Sequence, residues 1–327
     1  MNEVIMESSH PLAILDAMDV TMKGGSTLLN IVLALVMFGV ALGIRPATFV
    51  DIIRNPKSIL TGILCQIILL PALTLVLIIA CGDLLSPMVA LGMILVSCCP
   101  GGNISNFITS LSRGNAELSV SLTAFNTAVC IFTTPLNFAV WGRLYLNFAG
   151  KHAMNLPELQ IPFWDIFQSI VIIMGIPLVL GILCAQYYPK VANKLKKPLQ
   201  NLSILVFIAM VIIIFTGNVD VFLKCIKYIF LIVLVHNLLA LGIGYGTSTM
   251  LKLPYKDRRT VTIETGIQNS GLGLALLLNP NIFSPEQWTN NGGMLVITAW
   301  WGVWHIISGL TLAFLWRWKG RKEANED

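Results

Sequence analysis

An all-α polytopic membrane protein is the fold class the sequence predicts. Three observations predict it: apolar runs long enough to cross a bilayer, basic residues gathered in alternate loops, and polar interruptions inside two of the runs. The 327-residue chain is 56% hydrophobic and 11% charged, whereas soluble domains carry about 25% charged residues. Runs at 28–44, 59–80, 166–183 and 202–216 approach or exceed the length of about 20 residues that crosses the hydrocarbon as helix. A β-barrel would instead alternate polar and apolar residues in shorter strands. Nine spans, centred near residues 36, 69, 97, 130, 175, 208, 238, 270 and 305, account for the pattern.

Charge placement orients these spans. Of the 21 Lys and Arg, 16 fall in one alternating set of loops: Arg45 to Lys57, Arg113, Lys190 to Lys197, Lys252 to Arg259 and Arg317 to Lys322. The opposite side holds only Lys23, Arg143, Lys151, Lys224 and Lys227. Because cytoplasmic loops collect basic residues, the expected topology is a multi-pass protein of the cell (inner) membrane with its N-terminus outside and its C-terminus cytoplasmic. Residues 1–26 carry Glu3, Glu7, Asp16 and Asp19 against Lys23 and lack a signal peptide's cationic start. They read as an exterior tail or surface helix. Residues 27–318 read as one transmembrane domain, and residues 319–327 as a cytoplasmic tail. Seven cysteines show no zinc or secreted-disulfide spacing, so packing is their expected role.

Two spans are interrupted. In the third, Pro100, Gly101 and Gly102 lead into the polar stretch Asn103, Ile104, Ser105, Asn106. In the eighth, Thr265, Gly266, Ile267, Gln268, Asn269, Ser270 and Gly271 precede the apolar 272–278. Pro removes a backbone donor and Gly removes rigidity. Backbone leaves a helix at membrane depth only where protein or a wet cavity satisfies it, so paired breaks point to a binding cavity. Spans three and eight run in opposite directions, which predicts an inverted repeat with one helix missing before the first span.

Glu264 is the clearest ionisable residue within a span. An isolated central carboxylate costs about 3 kcal/mol on insertion scales, so it needs a cation or a proton. The competing reading is a shallow placement, about 8 Å inside the boundary beside Arg258 and Arg259. Ser105, Asn106, Gln268 and Asn269 at the breaks offer the oxygens that a hard cation such as sodium prefers. Helix ends add positive partial charge for an anion and negative for a cation. Ser119 and Thr123, four apart, share one face of the fourth span, although hydroxyls in membrane helices often back-bond to carbonyls. Gln66, in the apolar second span, suits ion binding and interhelical bonding equally. His236 and His305 read as hydrogen-bonded packing residues, since neither has an acidic neighbour in sequence.

At these motifs the sequence resembles the bile acid:sodium symporter family in its bacterial branch. The matching runs are CCPGGNISN at 98–106, RGNAELSVSLT at 113–123, TIETGIQNSG at 262–271 and VWHIISG at 303–309, with QIILLP at 66–71 and VLVHN at 233–237. The resemblance implies a panel domain and a core domain, with the two broken helices crossing in the core beside two sodium sites. It assigns one sodium to Ser105, Asn106, Ser119, Thr123 and Glu264. The other goes to Gln66, Glu264, Gln268 and the carbonyls of Thr265 and Ile267. Asn103, Ile104, Asn269, His305 and Ile306 are expected at the substrate cavity. Family members often have small residues where Asn103 and Ile104 stand, and a polar Asn where Ile306 stands, so a smaller organic acid is at least as good a candidate as a bile acid.

The function expected is a sodium-coupled symporter importing an organic anion by alternating access, not an enzyme, with the lipid bilayer and two sodium ions as its partners and no nucleic acid. The sequence leaves the oligomeric state open. An efflux carrier of the arsenite permease type would use Cys98 or Cys99. An intramembrane hydrolase would need a nucleophile and base that the motifs do not supply.

Overall fold

A computed structural model describes residues 12–16, 26–44, 56–151, 163–216, 219–279, 282–283 and 291–326. The described chain is almost entirely helical. Its elements are α1 (Ala13–Asp16), α2 (Ser26–Ala41), α3 (Pro56–Leu84), α4 (Pro87–Cys98), α5 (Ile104–Leu111), α6 (Ala116–Lys151), α7 (163–187), α8 (Pro189–Thr216), α9 (Val219–Met250), α10 (Tyr255–Gly266), α11 (Ser270–Leu277) and α12 (Gly292–Glu326). Five of them, α3, α6, α8, α9 and α12, are long and apolar enough to cross a membrane, and they carry the expected centres near 69, 130, 208, 238 and 305. The other four centres fall on shorter or interrupted helices. Arg45, Arg54 and Lys23, which entered the charge count, lie outside the described residues, as do residues 1–11 and 17–25 of the N-terminal stretch.

Proline shapes two of the rods. Pro71 and Pro177 each follow a π turn, Cys65–Leu69 in α3 and Val171–Gly175 in α7. A proline inside a helix cannot donate to the carbonyl four residues back, and a wider turn is one way to absorb that defect. For Pro71 that carbonyl is Ile67 O, and the Asn137 amide of α6 donates to it instead, at 2.9 Å. The same π turn carries Gln66 into the interior, where it is buried.

The helices pack in two groups. α2, α7 and α8 pack on one another, with Gly39 bringing α2 so close to Leu199 that a β-carbon there would overlap it. Small residues at such crossings are how helices approach without a hydrophobic drive in lipid. The second group packs around α4, α6, α9, α10 and α12 and holds the main apolar core, including Leu91, Ile94, Phe138 and Trp301. Outward faces stay apolar: Val76, Phe132, Leu205, Leu231 and Phe314 are all exposed, as lipid contact requires.

The described part of the N-terminal stretch is docked. Leu12 and Leu15 are buried in the main core, and α1 packs on α4, α9 and α12. Asp16 accepts from Ser86 Oγ at 2.8 Å and Met88 N at 3.3 Å, capping the start of α4. It also fills the space beside Gly293 at the start of α12. At the other end, α12 continues as helix to Glu326, beyond the expected boundary at 318.

Burial pushes the Asp16 carboxyl up from its ordinary value to about 7, although the Ser86 and Met88 hydrogen bonds oppose the shift. The folded protein therefore holds this proton more tightly than the unfolded chain does. The stabilisation is full below about pH 4 and is lost as pH rises through about 7. Asp16→Asn removes the titration, so the unfolding temperature of the variant minus that of the wild type should rise between pH 5 and pH 8. Thermal unfolding in detergent reads this, and a flat difference would contradict it.

Candidate functional site

The two interrupted helices meet at their breaks. Between α4 and α5 the chain is extended at Cys99, and between α10 and α11 it is extended at Ile267. Gly101 and Gln268 form an antiparallel bridge, with Gly102 N donating to Ile267 O at 3.0 Å and Asn269 N to Pro100 O at 2.8 Å. The breaks are narrower than the polar sequence stretches suggest. Ser105 and Asn106 already lie in the first turn of α5, Thr265 and Gly266 close α10, and Ser270 and Gly271 open α11.

Carbonyls freed at the helix ends find partners on neighbouring helices. Thr134 Oγ1 donates to Cys98 O at 2.8 Å, Gln66 Nε2 to Cys99 O at 3.0 Å, and Asn237 Nδ2 to Gly266 O at 2.7 Å. Ser308 donates in turn to Asn237 Oδ1. Asn269 Oδ1 accepts from Leu272 N at 3.0 Å and caps α11.

Glu264 lies at the crossing and is 2% exposed. Its carboxylate accepts from Ser105 Oγ at 2.6 Å, from Thr123 Oγ1 at 2.9 Å and from the Ser119 hydroxyl. Asn106 Oδ1 joins them, 2.9 Å from Ser119 Oγ and 3.4 Å from Thr123 Oγ1. All five residues assigned by resemblance to one sodium thus form one cluster of oxygens, four of them buried and Asn106 half-buried. Arg258 and Arg259, the neighbours that a shallow placement would pair with Glu264, are engaged elsewhere. Arg258 Nε donates to Leu253 O, and Arg259 donates to Ser112 O while its guanidinium lies over the rings of Tyr255 and Trp316.

The second assigned set is also brought together, but its oxygens are differently used. Gln66 Nε2 donates to Gln268 Oε1 at 2.5 Å, and Gln268 Nε2 donates to Thr265 O at 2.8 Å. Ile267 O already accepts from Gly102 N. A cation entering here must displace Gln268 Nε2 from Thr265 O, which rotation of that amide by a half-turn achieves by presenting its oxygen. Gly101 walls the space between the two sets: a β-carbon on it would lie 3.2 Å from Glu264 Oε2.

Beside the crossing, between the α2–α8 face and the broken helices, a cavity of about 220 Å³ is lined by all five residues expected at the substrate: Asn103, Ile104, Asn269, His305 and Ile306. The N-terminal ends of α5 and α11 open into it through Gly102 to Ile104 and Asn269 to Leu272. Val40, Phe207 and Met210 supply an apolar wall. His305 Nδ1 and Ser270 Oγ are buried without a hydrogen-bond partner. A second cavity of about 770 Å³ adjoins the first at Val40, Asn103, Ile104 and Ile204, and extends past Gly43 to Lys196.

His236 is separate. Thr74 Oγ1 gives its proton to Leu70 O and sits 2.7 Å from His236 Nε2, so His236 is the donor there, with its ring against Trp301. Among the described residues no group of three or more His, Cys, Asp or Glu could hold a metal. The oxygens at Glu264 come mainly from hydroxyls and an amide, donors suited to a hard monovalent ion.

Sequence reasoning missed several of these parts. Asn137, Thr134 and Asn237 are polar residues in apolar helices, and that was the available signal for their role as carbonyl partners. The π turn had the weaker signal of Pro71 alone. Lys196 and Lys197 counted only as loop charge.

Comparisons with known proteins find sodium-dependent transporters among its relatives. The chain is 32% identical over 298 residues to an uncharacterized sodium-dependent transporter, YocS, of Bacillus subtilis, covering 91% of this chain and 85% of that protein. It is 30% identical to the ileal sodium/bile acid cotransporter of Cricetulus griseus over 80% of this chain and 71% of the relative, and 29% identical to the human protein of that name over 80% and 71%. These relatives are named as transporters, not as enzymes. With the family profile matching residues 30–225 as well, the chain belongs to the sodium bile acid symporter family.

Proposed function

We propose that this protein is a sodium-coupled symporter that imports an organic anion by alternating access. The observation that carries the reading is Glu264: a buried carboxylate ringed by the oxygens of Ser105, Asn106, Ser119 and Thr123, with both nearby arginines committed to other partners. A carboxylate so placed needs a counter-ion, and the oxygen ring suits sodium. A second sodium binds at Gln66, Glu264, Gln268 and the carbonyls of Thr265 and Ile267. The printed names of the relatives, a sodium-dependent transporter and sodium/bile acid cotransporters, support the coupling ion and the anionic substrate class.

The anion's acid group binds where α5 and α11 point their N-terminal ends into one cavity, since free amides and aligned dipoles there favour negative charge. His305 and Ser270 offer further polar contacts. Ile104 and Ile306 narrow the space, which favours a slim organic acid over a bulky steroid. The chain makes nine passes arranged as an incomplete inverted repeat, with the N-terminus outside and the C-terminus in the cytoplasm. A panel of α2, α7 and α8 faces a core that contains the crossing. Sodium binding fixes the crossing, completes the anion site and lets the core move against the panel. Two sodium ions with one monovalent anion move one net charge, worth about 2.3 kcal/mol per 100 mV.

Glu264→Gln should abolish stabilisation of the purified protein by sodium over potassium, and should abolish sodium-driven uptake in proteoliposomes. Retention of both would end the proposal. Gly101→Ala places a methyl group against Glu264 Oε2 and should weaken sodium binding about tenfold, read as a shift in the sodium concentration that half-saturates thermal stabilisation.

A further inference from the structure

Lys196 and Lys197 stand apart from the other basic residues of their helix. Both line the larger cavity, whereas Lys190 and Lys194, at the start of the same helix, do not. Lys196 is half-buried, its Nζ 3.6 Å from where a β-carbon on Gly43 would lie, at the end of α2. Its neighbours on the cavity wall, Asn193, Gln200 and Asn201, are neutral, and among the described residues no Asp or Glu lines this cavity. Half-buried Lys196 and exposed Lys197 thus border a roomy space whose described lining holds no carboxylate. A rule of loop charge explains why lysines collect in this loop but not why this pair borders the cavity.

The two cavities meet at a waist formed by Val40, Asn103, Ile104 and Ile204, which is mostly apolar. Phe207 marks the level of the first pole, since a β-carbon on Gly271 at the start of α11 would lie 3.9 Å from its ring. From Lys197 to Phe207, α8 rises about 15 Å. The groove therefore has a helix-end pole at one end, an apolar middle and a lysine pole at the other.

We propose that Lys196 and Lys197 form a second acid-binding pole, and that the preferred substrate is an elongated organic dianion with an acidic group at each end of an apolar body. This rests on the sodium-coupled anion carrier reading and names its substrate class. A slim diacid threads the waist that Ile104 narrows, and each of its charges meets a group that compensates the loss of water.

The test compares dodecanedioate with its monomethyl ester, equal in body and differing by one carboxylate, by isothermal titration on the purified full chain in sodium and in potassium. In sodium the diacid should bind about tenfold more tightly than the ester. The paired substitution K196Q/K197Q should bring the diacid to the ester's affinity while leaving ester and sodium affinity unchanged, which also shows that the variant is folded. Lys196→Arg with Lys197→Arg should keep the preference, and K190Q/K194Q should alter nothing. Equal affinity for the two compounds, no binding of either in sodium, or a preference that survives K196Q/K197Q overturns the second pole. Binding of both compounds identically in sodium and potassium, unaltered in Glu264→Gln, is a distinct failure and overturns the coupled-carrier reading beneath it.

Discussion

Breaking two helices inside a membrane frees backbone amides and carbonyls that neither lipid nor bulk water can satisfy, and that constraint organises the rest of the molecule. Here the two breaks answer each other. Gly102 and Asn269 donate across the crossing to Ile267 and Pro100, and the remaining carbonyls draw side chains from three other helices. Glycine at 102 is required because the facing chain lies so near: a β-carbon there would come within 2.9 Å of Gln268 O. The same closeness brings the first turn of α5 and the last turn of α10 together, and so sets Ser105 and Asn106 against Glu264.

Charge follows from this arrangement. A carboxylate buried among hydroxyls has hydrogen bonds but no neutralising partner, and hydrogen bonds alone do not offset the loss of water around a full charge. Arginine was available five and six residues earlier in the chain, yet both guanidiniums are engaged by the carbonyls of Leu253 and Ser112 instead. Under the proposed function, the missing charge is what the transported ion brings. Asp16 meets the same cost with a proton instead: a hydroxyl and an amide do not offset its burial, and its carboxyl is pushed up to about 7.

Much of this was legible in the sequence because breaks write themselves in residue types. Pro-Gly-Gly before a polar run, and TGIQNSG inside an apolar one, located both interruptions to within a few residues. The Ser119 and Thr123 pair was legible as one helix face. The partnership between breaks was not, since nothing local records which chain lies opposite. Asn137, Thr134 and Asn237 each solve a problem created elsewhere, at Ile67, Cys98 and Gly266, and their purpose exists only once the helices are packed. Leu12 and Leu15 sat in a stretch whose acidic residues suggested an exterior tail or surface helix, and nothing local marked their burial in the main core. Lys196 and Lys197 were hidden by a rule that already accounted for them.

The wide turn at Cys65–Leu69 has a consequence for how α3 must be read. One added residue in a turn shifts the angular phase of everything beyond it by about 100°. The apolar stripe before residue 65 and the one after residue 69 therefore belong to different sides of the rod, and no single helical wheel drawn through 56–81 describes both. Gln66 sits where the two phases meet, and on the helix as it is wound its amide reaches the crossing.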